Sequence, residues 1–384
     1  MFLQWIKSQV YNLLTLLVKL NNTSVNKNTL LLVRTNNMGD YVLWRNMLPI
    51  IRKSERFKDY KITLLGNKVW KGLFDSLDTE YVDEVIWADM MRFKGDMRYR
   101  YSMQKQIRAA GYEIVVNTIY SRCKRMDDAF VMVCLNQGYK IGYKADMTCI
   151  LPYEIGYDKH LYKEIFATDK LFEFDFVRTV RFTEFFLQEP ISHSYKPILN
   201  PALKLPDSLQ KETYFVIFPG SSNPNRIWNA GNFAAVMSFV VKKSGWKPVL
   251  CGSKSDEPYI SNVLSIYTGP VINLCGKTNL IEFAGVLKQA KLLVSIDTGA
   301  VHLGAVVGCT IFALYNGSHY GRYNPYPAFV NPKVYGIYPD EVEKDIHSDN
   351  IPVKYTMPQH YDYNSISAEK VCIAIEKAFK AQWA

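Results

Sequence analysis

Three short segments gather the residue types that could do chemistry. The first is Arg34-Thr-Asn-Asn-Met-Gly39-Asp40. Gly39 permits a tight turn, and a helix starting near Tyr41 would carry Asp40 at its N-terminus. There the carboxylate would serve as a helix cap or as a base facing a ligand. A lone glycine separates this loop from the GxGxxG dinucleotide fingerprint. The second is Phe218-Pro-Gly-Ser-Ser-Asn-Pro-Asn-Arg226-Ile-Trp228. Gly220, Ser221 and Ser222 offer backbone amides and hydroxyls, and Arg226 adds a fixed cation. Such a set suits a diphosphate, because charge-assisted bonds to phosphate oxygens are strong. A polar loop with a solvent-facing arginine would have the same composition. The third is Val294-Ser-Ile-Asp297-Thr298-Gly299-Ala300-Val301-His302-Leu303-Gly304. Thr298, Gly299 and Ala300 are small enough for an anion to approach the free amides and positive dipole of a helix start. His302 falls four residues after Thr298 and so on the same helix face, as a structural residue or as a supporting group.

Each segment lies where an apolar run gives way to a helical stretch. Leu30–Arg34, Ile62–Leu65, Glu84–Trp87, Ile114–Asn117 and Lys140–Tyr143 each read as one buried strand. A second series follows at Tyr214–Phe218, Pro248–Cys251, Val271–Leu274, Leu292–Ile296 and Ile311–Tyr315. Strands separated by helix-length segments predict parallel pairing in a doubly wound α/β sheet, whose ligands bind at the carboxyl ends of the strands. Residues 188–212 hold Pro190, Pro197, Pro201 and Pro206 among polar residues and read as a linker. It separates an N-terminal Rossmann-like domain over 1–187 from a C-terminal one over 213–364. Residues 365–384 contain a last helix, Ser367–Gln382, expected to pack back on the N-terminal domain. At the other end, residues 1–20 alternate Phe2, Leu3, Trp5, Ile6, Val10, Leu13, Leu14, Leu17 and Leu20 with Lys7 and Lys19. The polar breaks argue against a spanning helix and no small-residue cleavage site is present, so an amphipathic helix is expected. It would either pack on the domain or lie at a membrane interface.

A formal net charge of +10 favours anionic partners: a nucleotide, a phosphorylated glycan or an anionic membrane surface. No nucleic-acid-binding motif accompanies that charge, so nucleic acid is not an expected partner. The seven cysteines are scattered singly, with no spacing that suggests zinc, and read as reduced thiols of a cytoplasmic protein. Glu173-Phe-Asp175 superficially resembles a metal-binding acidic pair. It lies in an aromatic stretch expected to be helical and reads as structural, and neither a metal nor a cofactor is expected.

Together, MGD after the first strand, the GSS…RxW loop opening the second half and DTGAVHLGA near its end resemble glycosyltransferase family 9. These are the heptosyltransferases of lipopolysaccharide cores and their relatives. The resemblance covers roughly Leu30 to Asn324 and the final segment Ile366-Ser-Ala-Glu-Lys-Val. It implies a GT-B architecture, two Rossmann-like domains with parallel sheets facing across a cleft. It also implies an inverting, metal-independent transfer of a sugar, heptose from ADP-heptose, onto a lipopolysaccharide-type or other cell-surface glycan. By the same resemblance Asp40, beside Gly39, takes the proton from the acceptor hydroxyl. Ser221, Ser222 and Arg226 hold the donor's phosphates, Arg226 standing where relatives commonly carry Lys. Thr298, Gly299 and Ala300 bind the diphosphate, supported by Asp297 and His302, and either Asp256 or Glu257 meets the nucleotide ribose. The implied partners are a nucleotide-sugar donor, as substrate rather than cofactor, and an anionic glycan or glycolipid acceptor. Peripheral contact with the inner face of the cytoplasmic membrane fits such an acceptor. Arg92, Lys94, Arg98 and Arg122 match no known acceptor site. Two alternatives stay open: a GT-B transferase using another nucleotide sugar, and a non-catalytic nucleotide-sugar-binding relative, which would have lost Asp40. A Rossmann oxidoreductase would need an acid at the end of the second strand, which here ends Leu65-Gly-Asn.

Overall fold

Central strands of a parallel sheet are covered on both faces and therefore need continuous apolar runs. The sequence supplies them twice. In the computed structural model, which describes residues 2–146, 148–192, 195–200, 205–221, 223–348, 350–359 and 361–383, each run forms a strand. The first unit contains β1 (Asn26–Arg34), β2 (Lys61–Asn67), β3 (Glu84–Ala88), β4 (Tyr112–Asn117), β5 (Tyr139–Tyr143) and β6 (Glu164–Phe166). All pairs are parallel, in the order β3-β2-β1-β4-β5-β6. The second contains β7 (Tyr214–Phe218), β8 (Lys247–Leu250), β9 (Ile272–Asn273), β10 (Leu293–Ile296), β11 (Ile311–Leu314) and β12 (Val334–Ile337). Its order, β12-β11-β10-β7-β8-β9, is the same arrangement read from the opposite edge. In each sheet the unit's first strand lies beside its fourth, and the chain leaves that pair in opposite directions. This is the topological switch point of a doubly wound sheet.

The edge strands β6 and β12 were not expected. Glu164-Ile-Phe is only three residues long, and Val-Tyr-Gly-Ile has two exposed positions, so neither carries a buried strand's apolar signature. The two units comprise residues 1–169 with 177–193, and residues 170–176 with 194–384. The division falls inside the expected linker, and residues 170–176 belong with the second unit for a visible reason. Phe172 and Phe174 meet Tyr320 and Tyr326 edge-on, and the Asp175 carboxylate accepts from Arg322 Nε at 3.0 Å. Asp175 of the acidic pair is thus committed to an internal ion pair, while Glu173 precedes the helix Asp175–Leu187 instead of lying within it.

The C-terminal helix requires a correction. Val371 and Ile375 of Ala368–Trp383 are fully buried in the second unit's core with Phe215, Trp228, Phe233 and Val294. The helix packs along Ala230–Ser244 of that unit, and not on the N-terminal domain. An amphipathic stripe specifies that a helix packs, but not against which neighbour. Its start is capped as the Ser-Ala-Glu segment suggests, Ser367 Oγ accepting the Lys370 amide at 3.1 Å.

The N-terminal helix Phe2–Lys19 packs within the first unit against helices Met97–Ala110 and Asp128–Val133. Tyr11 donates to the Lys94 carbonyl at 2.5 Å, and Gln104 Nε2 donates to Thr15 Oγ1 at 3.1 Å. No described helix is long and apolar enough to cross a membrane. All seven cysteines are free thiols.

Candidate active site

The second unit's switch point brings two of the three segments together. β7 and β10 pair with Ser295 opposite Phe218, so the loops that follow them emerge side by side. Arg226, at the end of the short helical turn Pro224–Arg226, faces the buried Asp297 with an Nη1–Oδ2 distance of 3.5 Å. Local polar turns shape the loop: Ser221 Oγ accepts the Asn223 amide, and the Asn223 side chain accepts that of Asn225. Ser222 lies outside the described residues. Farther along, buried Trp228 donates Nε1 to the Ile366 carbonyl at 2.8 Å, which ties the loop to the segment entering the C-terminal helix.

Gly220 has no room for a side chain. A Cβ there would lie 2.3 Å from the Asp256 carboxyl. Asp256 is itself buried, and its Oδ2 accepts from both the amide and the hydroxyl of Ser253 at 2.7 Å. Of the two acids expected to share one role, Asp256 is therefore an internal support under the Gly220 loop. Glu257 is exposed in the first turn of helix Glu257–Leu264. The sequence alone could not separate neighbours in a capping motif.

After β10, Thr298 caps helix Gly299–Val306, its Oγ1 accepting the Ala300 amide at 3.3 Å. The Thr298 carbonyl accepts the Val301 amide at 3.1 Å, and the helix dipole leaves positive charge at Gly299. The helix lies tightly on β10 and β11, since a Cβ on Gly304 would come 3.0 Å from Ile311. His302 is buried and turned to the Tyr326 hydroxyl, with Tyr323 against its ring. Its Nδ1 thereby holds the loop after β11 to this helix.

That loop, Asn316–Pro325, was not anticipated. It places His319 at φ 53°, next to Arg322 and within electrostatic reach of Asp297 and Arg226. Burial, and then Arg322 and Arg226, hold the imidazole below the usual histidine value, with Asp297 opposing. Among the described residues its Nδ1 has no hydrogen-bond partner, nor do the buried hydroxyls of Tyr315 and Tyr363. Both phenols are pushed up by burial first and by Asp297 second. The available signal was Gly317 and Gly321, both at positive φ, in a polar turn at the carboxyl end of a strand.

In the first unit the switch point lies between β1 and β4. Arg34, buried at the end of β1, donates to the Thr118 carbonyl beyond β4 and to the Asp40 carbonyl, both at 2.7 Å. Asn67 and Trp70 donate to the carbonyls of the intervening loop. The helix runs Met38–Trp44, starting earlier than expected, so Asp40 is in its first turn and Asn37 takes the cap position. Gly39 is helical and buried, not a turn glycine. Tyr41 stacks on Trp70 at 3.8 Å and donates to Asp78, which also binds Arg45. These contacts fix the helix that carries the half-buried Asp40. Arg122, by contrast, is wholly buried in ion pairs with Asp128 and Asp158. Arg92, Lys94 and Arg98 are surface residues of two helices over 90–110. Among the described residues no group of three or more His, Cys, Asp or Glu could hold a metal ion.

The family model for glycosyltransferase family 9 (heptosyltransferase) matches residues 100–332. The chain belongs to that family. The match includes the loop after β7 and the segment from Asp297 to Gly304, and begins beyond Asp40. A lipooligosaccharide heptosyltransferase 2 of Haemophilus influenzae is 26% identical over 149 residues, 34% of this chain and 42% of the relative. The chain thus spans about two fifths of the length of that curated relative. A family 9 glycosyltransferase structure from Veillonella parvula has a TM-score of 0.64 at 18% identity, covering 94% of this chain and 100% of the other. For the ADP-heptose lipopolysaccharide heptosyltransferase II of E. coli the values are 0.62, 15%, 93% and 100%. An E. coli heptosyltransferase solved with ADP gives 0.59, 16%, 93% and 99%. At these identities the likeness establishes the shared two-unit α/β fold.

His319 generates a prediction. Its folded value lies below the ordinary 6.5, so in acid the unfolded chain takes up a proton that the folded chain does not. The resulting stability is complete above about pH 6.5 and declines as pH falls, by at most about 1.4 kcal/mol per pH unit for one proton. His319→Asn, which tolerates the left-handed backbone, should flatten the fall in thermal midpoint between about pH 7 and pH 5. Identical slopes in the two proteins would show that His319 titrates normally.

Proposed function

We propose that the protein is an inverting transferase that moves a sugar from a nucleoside diphosphate to a hydroxyl of an anionic, lipopolysaccharide-type glycan or glycolipid. Heptose from ADP-heptose is the donor this reading favours, since one family member of the same fold is solved with ADP. The observation that carries the reading is the pairing of Arg226 with Asp297 beside the start of the Gly299 helix. A cation and the positive end of a helix dipole at one strand edge suit a diphosphate, and Glu257 is the acid exposed for a ribose.

In the reaction, the acceptor oxygen bonds to the anomeric carbon as the bond from that carbon to the diphosphate oxygen breaks. The leaving electron pair stays on the diphosphate, where Arg226, the Ser221 loop and the Gly299 helix start would stabilise it. Asp40 receives the hydroxyl proton. One displacement inverts the anomeric configuration. A glycolipid acceptor would place this chemistry at the inner face of the cytoplasmic membrane.

Asp40→Asn should retain protection by ADP against thermal unfolding yet lower turnover by about 10²-fold or more, as loss of a general base does. Turnover at the wild-type rate would remove Asp40 from the mechanism. Because the leaving diphosphate meets Arg226 and helix amides rather than clustered carboxylates, excess EDTA should leave the initial rate within about twofold. A rate that collapses with EDTA and returns with Mg²⁺ would mean that a metal stabilises the leaving group.

A further inference from the structure

The N-terminal helix Phe2–Lys19 presents its apolar side to solvent. Its buried positions, Ser8, Tyr11, Thr15 and Val18, form one stripe along the helix, and three of the four are polar or hydroxyl-bearing. On the opposite side Trp5, Ile6, Leu13, Leu16, Leu17 and Leu20 are between 39% and 76% exposed. The helix cannot roll this side inward without losing what holds it. Tyr11 binds the Lys94 carbonyl and lies under the Arg100 guanidinium at 3.9 Å. Gln104 binds Thr15, and Arg108 donates to the carbonyls of Lys19 and Asn21 at the helix end. A contiguous apolar stripe left in water on a fixed helix marks a contact surface.

Charge identifies the occupant. The N-terminal helix carries two basic residues, its neighbour Met90–Gly95 two and Met97–Ala110 four, with no Asp or Glu inside any of the three. Lys7, Lys94, Arg98 and Lys105 are exposed. In a symmetric pair of chains joined through this stripe, the basic rims would face each other, the nearby Asp89 and Asp96 being engaged as helix caps and Asp96 also with Arg92. An anionic lipid surface supplies both the apolar layer and the opposite charge. We propose that this face docks the protein on an anionic phospholipid bilayer, with the helix lying in the interface and its leucines in the acyl boundary. The inference stands on the first unit alone and does not require the transferase reading, although a glycolipid acceptor would be presented at such a surface.

Co-sedimentation of the full chain with phosphatidylcholine vesicles, and with vesicles containing phosphatidylglycerol, tests it. Binding should favour the phosphatidylglycerol vesicles and weaken as salt is raised. Leu13→Glu with Leu17→Glu should reduce vesicle binding about tenfold or more, leaving the thermal midpoint and protection by ADP unchanged. Should that variant fail to fold, Lys94→Glu with Arg98→Glu provides the second arm, lowering phosphatidylglycerol-dependent binding by about fivefold per charge. Unchanged vesicle binding in a folded variant would overturn the proposal. So would a vesicle-free dimer, seen by sedimentation velocity, that Leu13→Glu with Leu17→Glu dissolves. Vesicle binding without any protection by ADP would count against the transferase reading and leave the docking surface standing.

Discussion

The second unit is organised by the parallel pairing of β7 with β10. These neighbours are 77 residues apart in register, Val294 lying beside Ile217 at one pair and Ser295 beside Phe218 at the next, and the chain departs from them to opposite sides. Two loops distant in sequence must therefore end at one point on the sheet edge, and Arg226 and Asp297 meet there. Other features keep that point in place. Trp228 anchors the loop on Ile366, Asp256 fills the space that Gly220 leaves, and Gly304 lets the helix after β10 settle on the sheet. The first unit repeats the device at β1 and β4, with Arg34 bridging Thr118 and the Asp40 backbone.

The electrostatics at this point are those of a loosely held ion pair beside a helix start. Arg226 is 29% exposed while Asp297 is 8% exposed, and at 3.5 Å the pair is loose for a charge-assisted contact. The carboxylate orients the guanidinium without saturating its donors. The Ser221–Asn223–Asn225 turns order the loop, which under the proposed function would reduce the conformational entropy lost on binding. Nearby, His319, Tyr315 and Tyr363 each keep a buried polar atom without a described hydrogen-bond partner. Ligand hydroxyls or water could satisfy such groups.

Much of this could be read from the amino-acid order, and the exceptions have physical causes. The eight central strands announced themselves because burial on both faces demands unbroken apolar runs; of the four edge strands, which face no such demand, β3 and β9 were expected, whereas β6 is only three residues long and β12 has two exposed positions. The loops after β7 and β10 were readable as strand-end segments because small residues and hydroxyls follow an apolar run there. Gly39 was misjudged because a glycine in the first turn of a helix looks the same in sequence as one in a tight turn. Asp256 and Glu257 are adjacent, and only the capping geometry buries one and exposes the other. For the two terminal helices, periodicity gave the helix but not its neighbour. The C-terminal one found the second unit's core, and the N-terminal one packs through Tyr11 and Thr15, whose partners lie more than 80 residues away.

Calorimetric titration of ADP into the wild-type chain and Arg226→Ala examines the phosphate site proposed at the switch point directly. Loss of a hydrogen bond to a charged group should weaken binding by about 1.5–3 kcal/mol, with Arg226→Lys recovering most of it. Equal affinity in wild type and Arg226→Ala would contradict the placement of the donor's phosphates between Arg226 and the Gly299 helix.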